Sequence, residues 1–152
     1  MKVTEICTRS VVTCERETTA RQVAKLMREH NVGDVIVVDN GDGGRKPVGI
    51  VTDRDLAVHV VAAGVDPELI VAGDFIHGEL ELVLESELIY DAIWHMRSKG
   101  VRRLPVIDSR CHLVGILTAD DLSRCLAAEL SELTQIAPRQ MQHRNPKLDA
   151  TA

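Results

Sequence analysis

The sequence predicts a mixed α/β chain of the α+β kind, built from two pseudo-twofold-related β-α-β-β-α repeats that share one core. Three observations carry this prediction. First, the chain repeats itself. Residues 20–39 align with 89–108 at an offset of 69, and GIVTDRDL (49–56) aligns with GILTADDL (115–122), with five of these eight positions identical. Second, each copy shows the same order of signals: a helical spacing of apolar residues, two short apolar runs, then a second helix start. Third, each copy is too short to bury a good core alone. The whole chain of 152 residues, 45% hydrophobic and 27% charged, has the composition of one ordinary globular unit.

The elements follow in order. A small strand is expected near residues 11–13. Thr18 or Thr19 then caps a helix whose apolar stripe is Ala20, Val23, Ala24 and Met27. The run at 35–38 is short, β-branched and bounded by turn residues, so it reads as a buried strand. Residues 40–44 are glycine-rich and must be a loop or hairpin. A second strand is expected at 48–51, and a second helix from Thr52. The second copy repeats the series: a small strand near 82–84, a helix stripe of Ile89, Ala92, Ile93 and Met96, strands at 104–107 and 113–117, and a helix from Thr118. Between the copies, Gly64, Pro67 and Gly73 mark a linker with a short helical turn after Asp66-Pro67. The resulting division is 1–64 for the first repeat, 65–74 for the linker, 75–136 for the second repeat and 137–152 for a polar, disordered tail.

Composition excludes several function classes. The net charge is −5, whereas a general electrostatic nucleic-acid binder is usually basic. The first residues, MKVTEICTRSVV, contain no apolar signal core, and the longest uncharged apolar stretch, 56–65, is too short to span a bilayer. A cytoplasmic protein with no membrane or nucleic-acid partner is therefore expected. Cys7, Cys14, Cys111 and Cys125 form no C-x-x-C pair and are expected as free thiols, with Cys14 semi-buried. The six histidines are scattered and show no ligand spacing, so no metal site is assigned. There is no nucleophile elbow, phosphate loop or H-E-x-x-H, which argues against an enzyme.

The repeated motif carries the chemistry. Thr52 and Asp55, like Thr118 and Asp121, fit a capping box, in which hydroxyl and carboxylate satisfy a helix start with no ligand at all. The same geometry also suits a ligand. A helix start offers free N–H groups to an anion, and a nearby carboxylate accepts from ribose hydroxyls. Both readings stand at this point. Arg102 and Arg103 precede the strand at 104–107, and guanidinium is a good phosphate fork. Their counterparts are Gly33 and Asp34, an acid that would repel phosphate. Arg54 compensates in the first copy, while Asp120 stands at its position in the second.

Two helix–strand–strand–helix copies, each closing in G-[IV]-[VL]-T-x-x-D-L, resemble a cystathionine-β-synthase (CBS) domain pair, or Bateman module. VRRLPVID (101–108) and VGIVTDRDL (48–56) are typical of that family, and the stretch AAGVDPELIVAGDF between the copies resembles small stand-alone bacterial CBS proteins such as those of the hypoxic response protein family. The resemblance covers about residues 3–128. It implies repeats packed sheet to sheet and an adenosyl ligand in the cleft between them. No cofactor is required, and the implied ligand is an adenine nucleotide such as AMP, ADP or ATP. Carried over, the ribose role falls on Asp55 or Asp121, with Thr52 or Thr118 beside ribose or phosphate. Val12 and Val106 are then adenine-slot residues, and Arg102, Arg103 and Arg54 lie near phosphate. The second cleft, built on Arg102, Arg103, Thr118 and Asp121, is expected to be the better site. The resemblance to the hypoxic response protein also raises zinc or redox chemistry at Cys14 as an alternative.

Tyr90 and Trp94 lie i, i+4 on the second copy's helix, where the first copy has Arg21 and Lys25. This extra apolar face either packs within the chain or under the C-terminal segment, or forms a subunit contact; CBS pairs commonly dimerise through their helices, so the resemblance implies a homodimer. The expected function is sensing: a bound nucleotide alters the module, which signals to a protein partner. The alternative is a ligand-free dimeric interaction module.

Overall fold

The computed structural model of the chain describes residues 1–41 and 43–142. The first repeat comprises β1 (Thr13–Cys14), α1 (Ala20–His30), β2 (Asp34–Gly41), β3 (Gly44–Thr52) and α2 (Asp53–Leu56). The second comprises β4 (Val83–Leu84), α3 (Ile89–Lys99), β5 (Arg103–Ile107), β6 (Leu113–Thr118) and α4 (Ala119–Thr134). Each forms a three-stranded sheet, ordered β1-β2-β3 and β4-β5-β6, with the first pair parallel and the second antiparallel. The repeat extends to irregularities, since both central strands shift register at matching places, Val37/Val38 and Val106/Ile107.

Local chemistry sets the helix ends. The Thr19 hydroxyl accepts from the Gln22 backbone N–H at 3.2 Å, and the Gln22 side chain accepts from Thr19 N–H at 3.0 Å. This selects Thr19 as the cap, while Thr18 accepts from Glu15 N–H instead. α1 buries Ala20, Val23 and Met27, and α3 buries the matching Ile89, Ala92 and Met96. Both helices end in a left-handed residue, Asn31 and Gly100.

The apolar run of β2 is continuous because both of its faces are covered. Val35 and Val37 join the cluster under α1. Ile36 and Val38 meet Ile116, Val11, Ile50 and Leu113 in a cluster that joins the two sheets. The repeats therefore pack sheet to sheet.

Each repeat also lends its leading segment to the other. Val3 is fully buried in the core of the second repeat, and Val3 and Thr4 N–H donate to the Glu87 and Glu85 carbonyls at 2.9 and 3.0 Å. Ala72, its counterpart at the same offset of 69, is fully buried in the core of the first. Ala72 N–H donates to the Thr18 carbonyl at 2.8 Å. Both residues open a 3-10 turn, Val3–Glu5 and Ala72–Phe75.

The glycine-rich stretch, expected as a loop or hairpin, is a hairpin, with β2 and β3 paired out to Gly41 and Gly44. Two local expectations change. The helix from Thr52 is α-helical only over α2 and continues as a π turn, Ala57–Val61. The tail expected to be disordered starts instead with a helix, α5 (Ile136–Gln142). Pro138 sits in its first turn, where no intrahelical N–H donor is needed. The rest of that tail, 143–152, lies outside the described residues. No helix among the described residues is long and apolar enough to cross a membrane.

Candidate ligand-binding cleft

Both capping boxes form. Asp55 Oδ2 accepts from the Thr52 backbone N–H at 2.8 Å and from its hydroxyl at 2.9 Å, while Thr52 Oγ1 accepts from Asp55 N–H at 3.2 Å. The Thr118–Asp121 pair repeats this at 2.9, 2.6 and 3.1 Å, and the second Asp121 oxygen also accepts from Arg124. The cap explains these residues locally. Any ligand role is added to it.

The glycine that opens each motif lets the other repeat approach. A Cβ on Gly49 would lie 2.6 Å from Ile76 Cγ1, and one on Gly115 would lie 3.0 Å from both Cys7 Sγ and the Thr8 carbonyl oxygen. Ile76 and Cys7 are counterparts, so both motif strands are crossed by the lent segment of the opposite repeat. The two crossings then diverge. Thr8 pairs with Ile116 through two backbone hydrogen bonds of 2.9 Å. On the other side the chain turns at Gly78, whose φ of +71° favours glycine, where the first repeat has Arg9. A cleft of about 550 Å³ opens there.

Three segments line this cleft: the end of β3 with the start of α2, the stretch from Phe75 to Glu81, and the α3–β5 junction. Val48, Ile50, Phe75, Ile76, Leu80 and Val101 give it apolar walls. Arg54, Arg102, Arg103 and His77 face Asp53, Glu79 and Glu81 around it. An apolar slot rimmed by a few polar groups is the usual form of a small-molecule site.

Of the expected site residues, the cleft gathers Thr52, Arg54, Arg102 and Arg103. The expected grouping set the arginine pair with Thr118 and Asp121 instead. Those elements are neighbours in the backbone, where Arg103 pairs with Thr118 in register and the Arg102 carbonyl accepts from Ala119 N–H at 2.8 Å. Arg103, however, crosses to Asp34, with Nη1 2.6 Å from Oδ2, and both arginines line the cleft of the first motif. Thr118 and Asp121 are not among the lining residues. Asp55 is not among the lining residues either, and its carboxylate serves the cap. Val106, expected at the adenine slot, is not among the lining residues. Strand alternation turns it into the second repeat's core, fully buried among Val3, Val83 and Leu104. Val12 packs against the first repeat's core.

Sequence reasoning missed the wall from Phe75 to Glu81. The signal was present in the repeat offset, which makes this stretch the counterpart of the segment leading into β1.

Burial pushes the Cys14 thiol up to about 11, so it is not poised as a thiolate. Cys7 and Cys125 pack against the second repeat's core. Among the described residues, no three His, Cys, Asp or Glu side chains converge to hold a metal ion.

The family model for the CBS domain matches residues 3–62 and 72–128. The chain belongs to the CBS-domain family. Both matches begin on the lent turns, at Val3 and Ala72. This CBS pair is 36% identical over 116 residues to Hypoxic response protein 1 of Mycobacterium tuberculosis, covering 76% of this chain and 78% of that one. It is 37% identical over 122 residues to an uncharacterized protein of Methanopyrus kandleri, covering 80% of this chain but only 61% of that longer relative. Among solved structures, Hypoxic Response Protein I with two coordinated zinc ions superposes with a TM-score of 0.69 at 31% identity, over 82% of this chain and 98% of that one. A CBS domain protein from Pyrobaculum aerophilum complexed with AMP superposes with a TM-score of 0.74 at 25% identity, over 87% and 99%.

Proposed function

We propose that this CBS pair is a regulatory, non-catalytic module that holds an adenine nucleotide in the cleft between its repeats and passes that state to a partner. The observation that carries the reading is the 550 Å³ cleft that sets Thr52, Arg54, Arg102 and Arg103 around apolar walls in a chain sharing its fold with an AMP-bound relative. The volume suits a nucleoside phosphate, the walls suit a base, and the guanidinium groups suit phosphate. A ligand that contacts both repeats favours whichever arrangement it fits better, and only that difference can be transmitted.

The test is a thermal melt of nucleotide-stripped protein with AMP, ADP and ATP. A ligand that binds only the folded state at a hundred times its dissociation constant adds about 2.7 kcal/mol, a rise of about 5–10 °C for a domain of this size. Arg102→Glu should abolish the rise without lowering the ligand-free melting temperature, since that side chain is 76% exposed. No rise at millimolar nucleotide overturns the reading.

An interaction surface accompanies this role. Tyr90 and Trp94 are 67% and 64% exposed on α3, and Leu130, Leu133 and Ile136 are exposed along α4 and the start of α5. Aromatic residues left in water at helical spacing favour a contact with a second copy. Sedimentation is expected to show a dimer that Trp94→Glu converts to monomer. A dimer that survives this change places the contact elsewhere.

A further inference from the structure

We propose that Asp34 sets the charge selectivity of the cleft: it holds Arg103, so that a phosphate-bearing ligand must win this guanidinium from it while an uncharged nucleoside need not. This inference rests on the nucleotide reading above.

Asp34 and Arg103 are repeat counterparts at the offset of 69, and they meet across the pseudo-twofold axis. Arg103 lines the cleft, Asp34 is not among its lining residues, and the carboxylate holds the guanidinium at 2.6 Å. Their side chains are 32% and 18% exposed, which shields the pair from solvent. The other pair at this rim differs. Arg102 lies 3.4 Å from Asp120 with both side chains about three-quarters exposed, a contact that water and salt largely screen. A phosphate therefore recruits Arg102 at little cost but must compete with Asp34 for Arg103. Burial pushes the Asp34 carboxyl up, Arg103 pulls it only partly back, and the neighbouring Asp53 adds to the rise.

The experiment titrates nucleotide-stripped wild type, Asp34→Asn, Asp34→Glu and Arg103→Gln with AMP and with adenosine by calorimetry. Asparagine keeps the shape of the side chain and removes its charge. Asp34→Asn is expected to bind AMP about five- to tenfold more tightly, with adenosine unchanged within about twofold. Asp34→Glu, which retains the charge, should keep the wild-type ratio of the two affinities. Arg103→Gln should lose AMP affinity about tenfold and spare adenosine. If AMP and adenosine affinities move together in Asp34→Asn, or if AMP binds wild type and this variant alike, the proposal is overturned while the nucleotide reading stands. If neither probe binds wild type or any variant, the nucleotide reading itself fails.

Discussion

Val3→Asp is expected to unfold the second repeat, although residue 3 stands at the other end of the chain from that core. Val3 is fully buried beside Val83, Ile89, Leu104 and Leu117, all of them residues of the second repeat. An ionised carboxylate there has no partner, and an unpaired buried charge costs several kcal/mol. That is a large part of the roughly 5–15 kcal/mol that holds a domain folded. Ala72→Asp should do the same to the first repeat, where Ala72 is fully buried against Val23, Val35 and Val51. Native-state hydrogen exchange locates the damage. Protection should fall first in β5 and β6 for Val3→Asp and in β2 and β3 for Ala72→Asp. Loss confined to the repeat nearest in sequence would refute the exchange of segments. Val3→Ala is the milder companion, expected to cost only about 2 kcal/mol through its lost methyl groups and the cavity.

The second large effect separates two glycines that occupy the same place in the repeat. Gly115→Ala sets a methyl group 3.0 Å from the Thr8 carbonyl, and Thr8 is pinned by its paired hydrogen bonds to Ile116. Backbone held at both ends cannot yield, so overpacking of about 1–3 kcal/mol is expected, a fall of about 3–10 °C in melting temperature. Cys7→Ala should not rescue it, because the carbonyl remains. For Gly49→Ala the three nearest atoms all belong to the Ile76 side chain, the closest being Cγ1 at 2.6 Å. Combining it with Ile76→Ala should recover most of the loss, a coupling that a double-mutant cycle reads directly. Equal rescue at both glycines would show that the Thr8–Ile116 pairing does not hold that crossing rigid.

These residues also show where the sequence was legible. The helix caps and the four long strands follow from local patterns, and the pairing of repeats from the self-alignment at an offset of 69. Thr19 with Gln22, and Thr52 with Asp55, are local arrangements that sequence spacing specifies. The continuous apolar run at 35–38 announced a strand covered on both faces. What escaped depended on distant partners. The lent segments are a tertiary choice, and nothing near Val3 says which core it enters. Val106 looked like a slot residue because apolar identity does not say which way a strand residue points. Arg103 stands beside Thr118 in the backbone register, yet its side chain crosses to Asp34, 69 residues away. A cleft made by two repeats belongs to neither, so a motif read one copy at a time could identify the chemical groups but not which of them face one another.

The pair at the pseudo-twofold axis has one more consequence. At that point each half meets its own counterpart position, with aspartate from one side and arginine from the other. An assembly of two first halves would set carboxylate against carboxylate there, and one of two second halves would set guanidinium against guanidinium. Like charges brought together out of solvent repel, and the mixed pair alone is attractive. The divergence of a single position between the copies thus gives the halves a mutual preference: each is a poor mate for itself and a good one for the other.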